Sequence, residues 1–69
     1  MGHHYDRGTM LFNLRRFREG IAEFTAELGD NPRSIEAYGM RGMCHLKLRE
    51  LKECHRDIQE AISLDPNWS

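Results

Sequence analysis

Apolar and polar residues fall along the chain in stripes of helical spacing. Phe17, Ile21, Phe24 and Leu28 recur at intervals of four, three and four, which places them on one face of an amphipathic helix. A longer pattern runs from Tyr38 to Pro66. There the small residues Gly42, Cys54 and Ala61 would let two helix backbones approach closely, while Tyr38, Leu48, Leu51, Ile58 and Ile62 fill the space around them. This pattern predicts a helical hairpin. Pro32 and Pro66 lie 34 residues apart, and shifting the frame by that amount repeats the hairpin. Arg41 falls on Arg7, Gly42 on Gly8, Leu48 on Leu14, Arg49 on Arg15, Leu51 on Phe17, Glu53 on Glu19, Ile58 on Phe24 and Ile62 on Leu28.

Four helices are expected. The first runs from about Tyr5 to Leu14, and an arginine-rich turn leads to Phe17. The second starts at Phe17 and is closed by Gly29, because glycine accepts the left-handed conformation that ends helices. Asn31 precedes Pro32 and is biased away from helical geometry, so Asp30 to Arg33 reads as the turn between hairpins. The third helix starts near Ser34, whose hydroxyl can accept from the first free backbone amides, and runs to about Lys47. Gly39 and Gly42 each weaken it by up to about 1 kcal/mol relative to alanine. Close helix contact compensates at Gly42, and nothing in the pattern accounts for Gly39. The fourth runs from about Leu51 to Leu64, is stopped by Asp65 and Pro66, and carries Arg56 and Glu60 one turn apart for an outer ion pair.

A helix-turn-helix unit repeating every 34 residues resembles the tetratricopeptide repeat family. The resemblance covers nearly the whole chain, about two repeats. The family's aromatic, glycine, two small residues, the bulky residue between them and the closing proline match Tyr38, Gly42, Cys54, Ala61, Ile58 and Pro66. Repeat one keeps Gly8, Phe17, Phe24 and Pro32 but has His4 for the aromatic, with Gly20 and Glu27 for the small residues. Arg7 and Arg41 stand where the family usually has a large apolar residue, and His45 where an aromatic is common. The resemblance implies an all-α fold of antiparallel helix-turn-helix hairpins, an α-solenoid fragment. Residues 1–34 form repeat one and 35–69 repeat two of one structural domain.

The chain has 69 residues, so a single small core is expected to supply only a few kcal/mol of net stability. With 10 basic against 11 acidic residues, the overall field gives no reason to expect nucleic acid or an anionic membrane as partner. No apolar run approaches the roughly 18 residues of a spanning helix, and the N-terminus lacks the apolar core of a signal peptide. A cytoplasmic, reducing location is expected. Met1 to His4 reads either as a natural start or as the remnant of an affinity tag, and carries no function.

Chemistry has few candidates. Cys44, His45, Cys54 and His55 form two Cys-His pairs on helices that the hairpin brings together, but neighbouring helical residues point about 100° apart and cannot share one metal easily. The expected reading is Cys44 and Cys54 as small core residues, with His45 and His55 partly exposed. The two cysteines neither demand nor exclude a disulfide. No phosphate loop, paired acid set or nucleophile motif is present, so neither catalysis nor a cofactor is expected. The alternative from another class is a small metal- or thiol-dependent redox protein using Cys54 and His45.

Two surfaces remain. A basic edge gathers Arg15, Arg16, Arg18, Lys47, Arg49 and Lys52 at the hairpin turns, where the helix dipole favours cations and no aromatic residues interleave for stacking on RNA. The other follows from the resemblance, since successive first helices of tetratricopeptide repeats line a concave groove for a partner's peptide or helix. The matching positions are Tyr5, Thr9, Phe12, Met40, Met43 and Leu46, an apolar set whose methionines adapt to varied shapes. One subtype of the family clamps C-terminal carboxylates with lysines and asparagines on this face. Here those positions hold Tyr5, Asp6, Thr9, Met40 and Met43, so that clamp is missing. The function these features imply is a protein interaction scaffold. Because repeats bury one face on the next, the Leu51, Ile58 and Ile62 side is expected to be open, implying a homodimer or a fragment of a longer repeat array.

Overall fold

Ser34 divides the chain into two hairpins. Its hydroxyl accepts from the Ala37 amide at 3.2 Å, closing one free donor at the start of a helix, while Pro32 just before it cannot continue the preceding one. In the computed structural model, which describes residues 3–67, four helices follow in order: α1 His3–Asn13, α2 Phe17–Asp30, α3 Ile35–Lys47 and α4 Leu51–Leu64. The described residues are all-α. Each helix packs on its neighbour in sequence, α1 on α2, α2 on α3 and α3 on α4, with a small further contact of α1 with α3. The thin dimension of 18 Å is that of two helix layers.

The two hairpin turns are built alike. The Arg16 amide reaches back to the Leu11 carbonyl at 2.8 Å and the Arg15 amide to Phe12 at 3.0 Å; Glu50 to His45 and Arg49 to Leu46 repeat both bonds at the same distances. This is the paired closure in which one residue takes the left-handed conformation. Here that residue is arginine, with φ of 62° at Arg15 and 63° at Arg49. Glycine, the usual occupant, is absent from both turns.

Gly29 does not close α2. The helix continues through it to Asp30 and stops at Asn31, whose amide still bonds the Glu27 carbonyl, so the backbone bias imposed by Pro32 decides the boundary. The inter-hairpin turn accordingly sits one residue later than the sequence suggests.

Phe24, Leu28, Ala37 and Cys44 make the buried core between the first hairpin and α3, with Tyr5, Phe12, Phe17, Ile21, Tyr38 and Met40 packed around them. Gly8 is required by contact. A Cβ there would lie 2.7 Å from the Phe24 ring, which is fully buried and has nowhere to move. At Gly42 the corresponding Cβ would lie 3.2 Å from Ile58 Cδ1 and 3.4 Å from Asp57 Cβ, so the α3–α4 approach is close but less tight. Of the residues expected to fill space around Gly42, Leu51 is 62% and Ile62 45% exposed, because among the described residues no further helix covers them. Arg56 and Glu60 form no ion pair with each other, and both face solvent.

Candidate functional site

Between α1 and α3 lies an open hollow of about 260 Å³ lined by Tyr5, Glu36, Gly39, Met40, Met43 and Ile58. Three of the predicted groove residues, Tyr5, Met40 and Met43, meet there. Tyr5 is held by an edge-to-face contact with Phe24, ring centroids 5.7 Å apart, and Met40 rests on the core. Met43 is exposed. The lining is almost wholly apolar, so the hollow suits an apolar or amphipathic segment rather than an anion.

The other three groove residues lie apart from it. Phe12 packs edge-to-face on Phe17 and borders a separate hollow near the turn with Asn13, Arg15 and Lys47. Thr9 is half-buried, and its hydroxyl donates to the Tyr5 carbonyl one turn back. Leu46 is exposed on the same helix as Met43. Gly39, which the hydrophobic pattern left unexplained, lines the hollow.

All six residues of the basic edge are exposed, and two are already paired. Arg16 donates to Glu19 at 2.7 Å, and Arg18 donates to Glu50 across the two hairpins. Glu50 also meets His45 Nδ1 at 2.8 Å. These contacts, the His45 hydrogen bond first and the Arg18 one next, hold the Glu50 carboxyl below the usual glutamate range.

An ionic cluster that the sequence reading missed lies behind this edge. Arg41 forks onto Asp57 with Nε to Oδ2 at 2.9 Å and Nη2 to Oδ1 at 2.7 Å, and reaches Thr25 on α2 at 3.2 Å. Asp57 is buried, which only such a partner allows. His45 stands beside it, Nε2 3.7 Å from Asp57 Oδ2. This residue, expected to be partly exposed, is mostly buried between the two carboxylates because Leu48 to Glu50 folds the turn over it. The signal was in the sequence: Cys54, Asp57 and Ala61 share one helical stripe, so a carboxylate lay on the face that meets α3.

Both cysteines are free thiols, Cys44 fully buried and Cys54 half-buried. Burial pushes the Cys44 thiol up to about 11, the opposite of what a nucleophile needs. The two His45 ring nitrogens face Glu50 and Asp57, so the redox alternative built on Cys54 and His45 finds no support. Among the described residues no three or more His, Cys, Asp or Glu side chains are grouped as metal ligands, and no helix is long and apolar enough to cross a membrane.

Comparison with known proteins places this architecture. The second hairpin, residues 35–68, matches the family described as tetratricopeptide repeat. The chain is 33% identical over 66 residues to U-box domain-containing protein 70 of Oryza sativa subsp. japonica, a match covering 96% of the chain and 8% of that protein. It is 35% identical over 63 residues to the heat shock protein sti1 homolog of Schizosaccharomyces pombe, covering 91% and 11%. With the DnaJ homolog subfamily C member 7 homolog of Dictyostelium discoideum it shares 33% identity over 61 residues, covering 88% and 11%. The chain thus spans about a tenth of the length of these relatives. With the hairpins packed in sequence and the matched residues falling on α3 and α4, the chain belongs to the tetratricopeptide repeat family.

Proposed function

We propose that residues 1–34 and 35–69 act as two repeats of one protein interaction module, without catalysis, which holds an apolar or amphipathic segment of a partner protein along α1 and α3. The observation that carries this reading is the hollow lined by Tyr5, Gly39, Met40 and Met43. Exposed Met43 and Leu46 extend its apolar surface along α3. Two relatives bear the names of a heat shock protein homolog and a DnaJ homolog, which is consistent with partners among folding proteins. The chemistry of a bound segment is nevertheless set by this chain. Glu36 in the wall disfavours a carboxylate and favours a segment with a cation at one end of an apolar stretch. Two free thiols fit a reducing, cytoplasmic setting.

Selection from a displayed peptide library tests this. Wild-type protein should enrich apolar or amphipathic segments, and Met43→Glu should lose them while keeping its helical circular dichroism, since a charge on an exposed site costs little until a ligand desolvates it. The variant Arg15→Glu, Arg16→Glu should bind as wild type. Loss of binding in the edge variant alone would move the site to the basic edge.

A further inference from the structure

Phe12 and Phe17 stand on either side of the first hairpin turn and meet edge-to-face, with ring centroids 5.4 Å apart. They belong to a hollow of about 180 Å³ that Asn13, Arg15 and Lys47 complete. Its lining comes from the end of α1, the turn after it, the start of α2 and the end of α3. Both rings are half-buried, and the three polar residues are exposed. The groove residues Tyr5, Met40 and Met43 have no part in it.

Charge sets this hollow apart from the rest of the basic edge. Arg16 and Arg18 are paired with Glu19 and Glu50, but among the described residues Arg15 and Lys47 meet no carboxylate. Lys47 alone would follow from the helix dipole, which favours a cation in the last turn of α3. Arg15 lies outside any helix, so that account does not reach it. With φ of 62° it holds a left-handed position that glycine would take without strain, and in doing so the turn keeps a cation beside the hollow. Two cations around one small volume repel each other until an anion joins them. The net charge of −1 and the interruptions at Glu19 and Glu50 leave no continuous positive field, so a nucleic acid or an anionic membrane is a poor match and a single anionic group a good one. The two rings add a second requirement, a short apolar stem behind the charge. Glutamate carries both, a carboxylate on two methylenes.

We propose that this hollow is a second binding site, which takes a glutamate side chain from an acidic segment of a partner protein. The carboxylate joins Arg15 and Lys47, the methylenes rest on Phe12 and Phe17, and the Asn13 amide is a further donor. The site is separate from the groove, and the inference stands independently of what the groove binds.

Short peptides capped at both ends test it, so that the only charge is on a central residue, which is Glu, Asp, Gln or phosphoserine. Each is titrated into isotope-labelled protein and followed by the shifts of backbone amide signals. Two exposed ion pairs and a small apolar contact give weak binding, so the Glu peptide should show a Kd on the order of 1 mM, with shifts centred on Asn13, Arg15, Phe17 and Lys47. The Gln peptide should bind about fivefold more weakly for want of the charge, and the Asp peptide about threefold more weakly for want of a methylene. Arg15→Gln and Lys47→Gln should each weaken the Glu peptide about threefold and leave the Gln peptide unchanged. Arg49→Gln, at the equivalent left-handed position of the other turn, should change neither. Amide signals that stay in place away from each substitution show that the fold persists. Equal binding of the Glu and Gln peptides, the same loss in Arg49→Gln, shifts centred on another surface or no shift at all overturns the proposal. Binding of the phosphoserine peptide more than about tenfold tighter than the Glu peptide overturns the assignment to glutamate.

Discussion

Arg41 and Asp57 form a two-pronged ion pair between α3 and α4, with the Asp57 side chain 4% exposed and the Arg41 side chain 21% exposed. The aspartate's hydrogen bond raises the Arg41 pKa further above its ordinary value against the opposing effect of burial. Asp57→Ala should destabilise the protein by about 3 to 5 kcal/mol, since it strands a part-buried cation. Arg41→Leu should cost a similar amount by stranding the carboxylate. The double variant Arg41→Leu, Asp57→Ala should recover most of the loss, because the two removed charges no longer need each other. Urea unfolding of the four proteins measures the coupling; additive losses would show that the pair is not a unit.

Gly8 and Gly42 are repeat equivalents with unequal clearance, so their substitutions should rank. Gly8→Ala places its methyl against the immobile Phe24 ring and should cost about 1 to 3 kcal/mol despite the better helix propensity of alanine. Gly42→Ala meets Ile58 Cδ1, the end of a half-buried chain that can turn aside, and should cost less. Gly42→Leu exceeds the available space and should lower the thermal midpoint well beyond the alanine variant. Melting by circular dichroism checks the order.

Glu50 predicts an acid limb. Its carboxyl titrates lower in the folded chain than in the unfolded one, through His45 first and then Arg18. Its contribution is therefore fully present above the ordinary glutamate value and is lost as pH falls through the folded value, from about pH 5 downward. Glu50→Gln should flatten the fall in stability over that range and leave the neutral region little changed in slope. Denaturant midpoints measured against pH report the difference.

Cys44 should resist thiol reagents in the folded state. It is fully buried and its thiol stays protonated at neutral pH, whereas Cys54 is half-buried. One fast and one slow thiol are expected in the native protein and two fast ones in denaturant, a result read by mass after timed alkylation.

Helix limits in the second hairpin were legible because each has a local cause. Ser34 caps α3, Asp65 and Pro66 end α4, and both helices run between the residues the pattern named. In the first hairpin the local cue misled: Gly29 looked like a terminator, but nothing requires it to leave helical geometry before Asn31. The groove residues could be placed on their helices yet not in one hollow, since Phe12 turns toward Phe17 and Thr9 toward its own backbone. The ionic cluster was hidden for another reason. Arg41 and Asp57 sit 16 residues apart on different helices, a separation that carries no period, and only the hairpin crossing brings them together.

Packing mainly between successive helices has a kinetic consequence. With contacts kept local along the chain, little loop entropy must be lost before packing begins, which favours folding on the microsecond to millisecond scale typical of helical domains. Opening should be unequal along the chain. Among the described residues helix α4 rests on α3 alone, so its amides should exchange with solvent earlier than those of α2 and α3, which enclose Phe24 and Cys44.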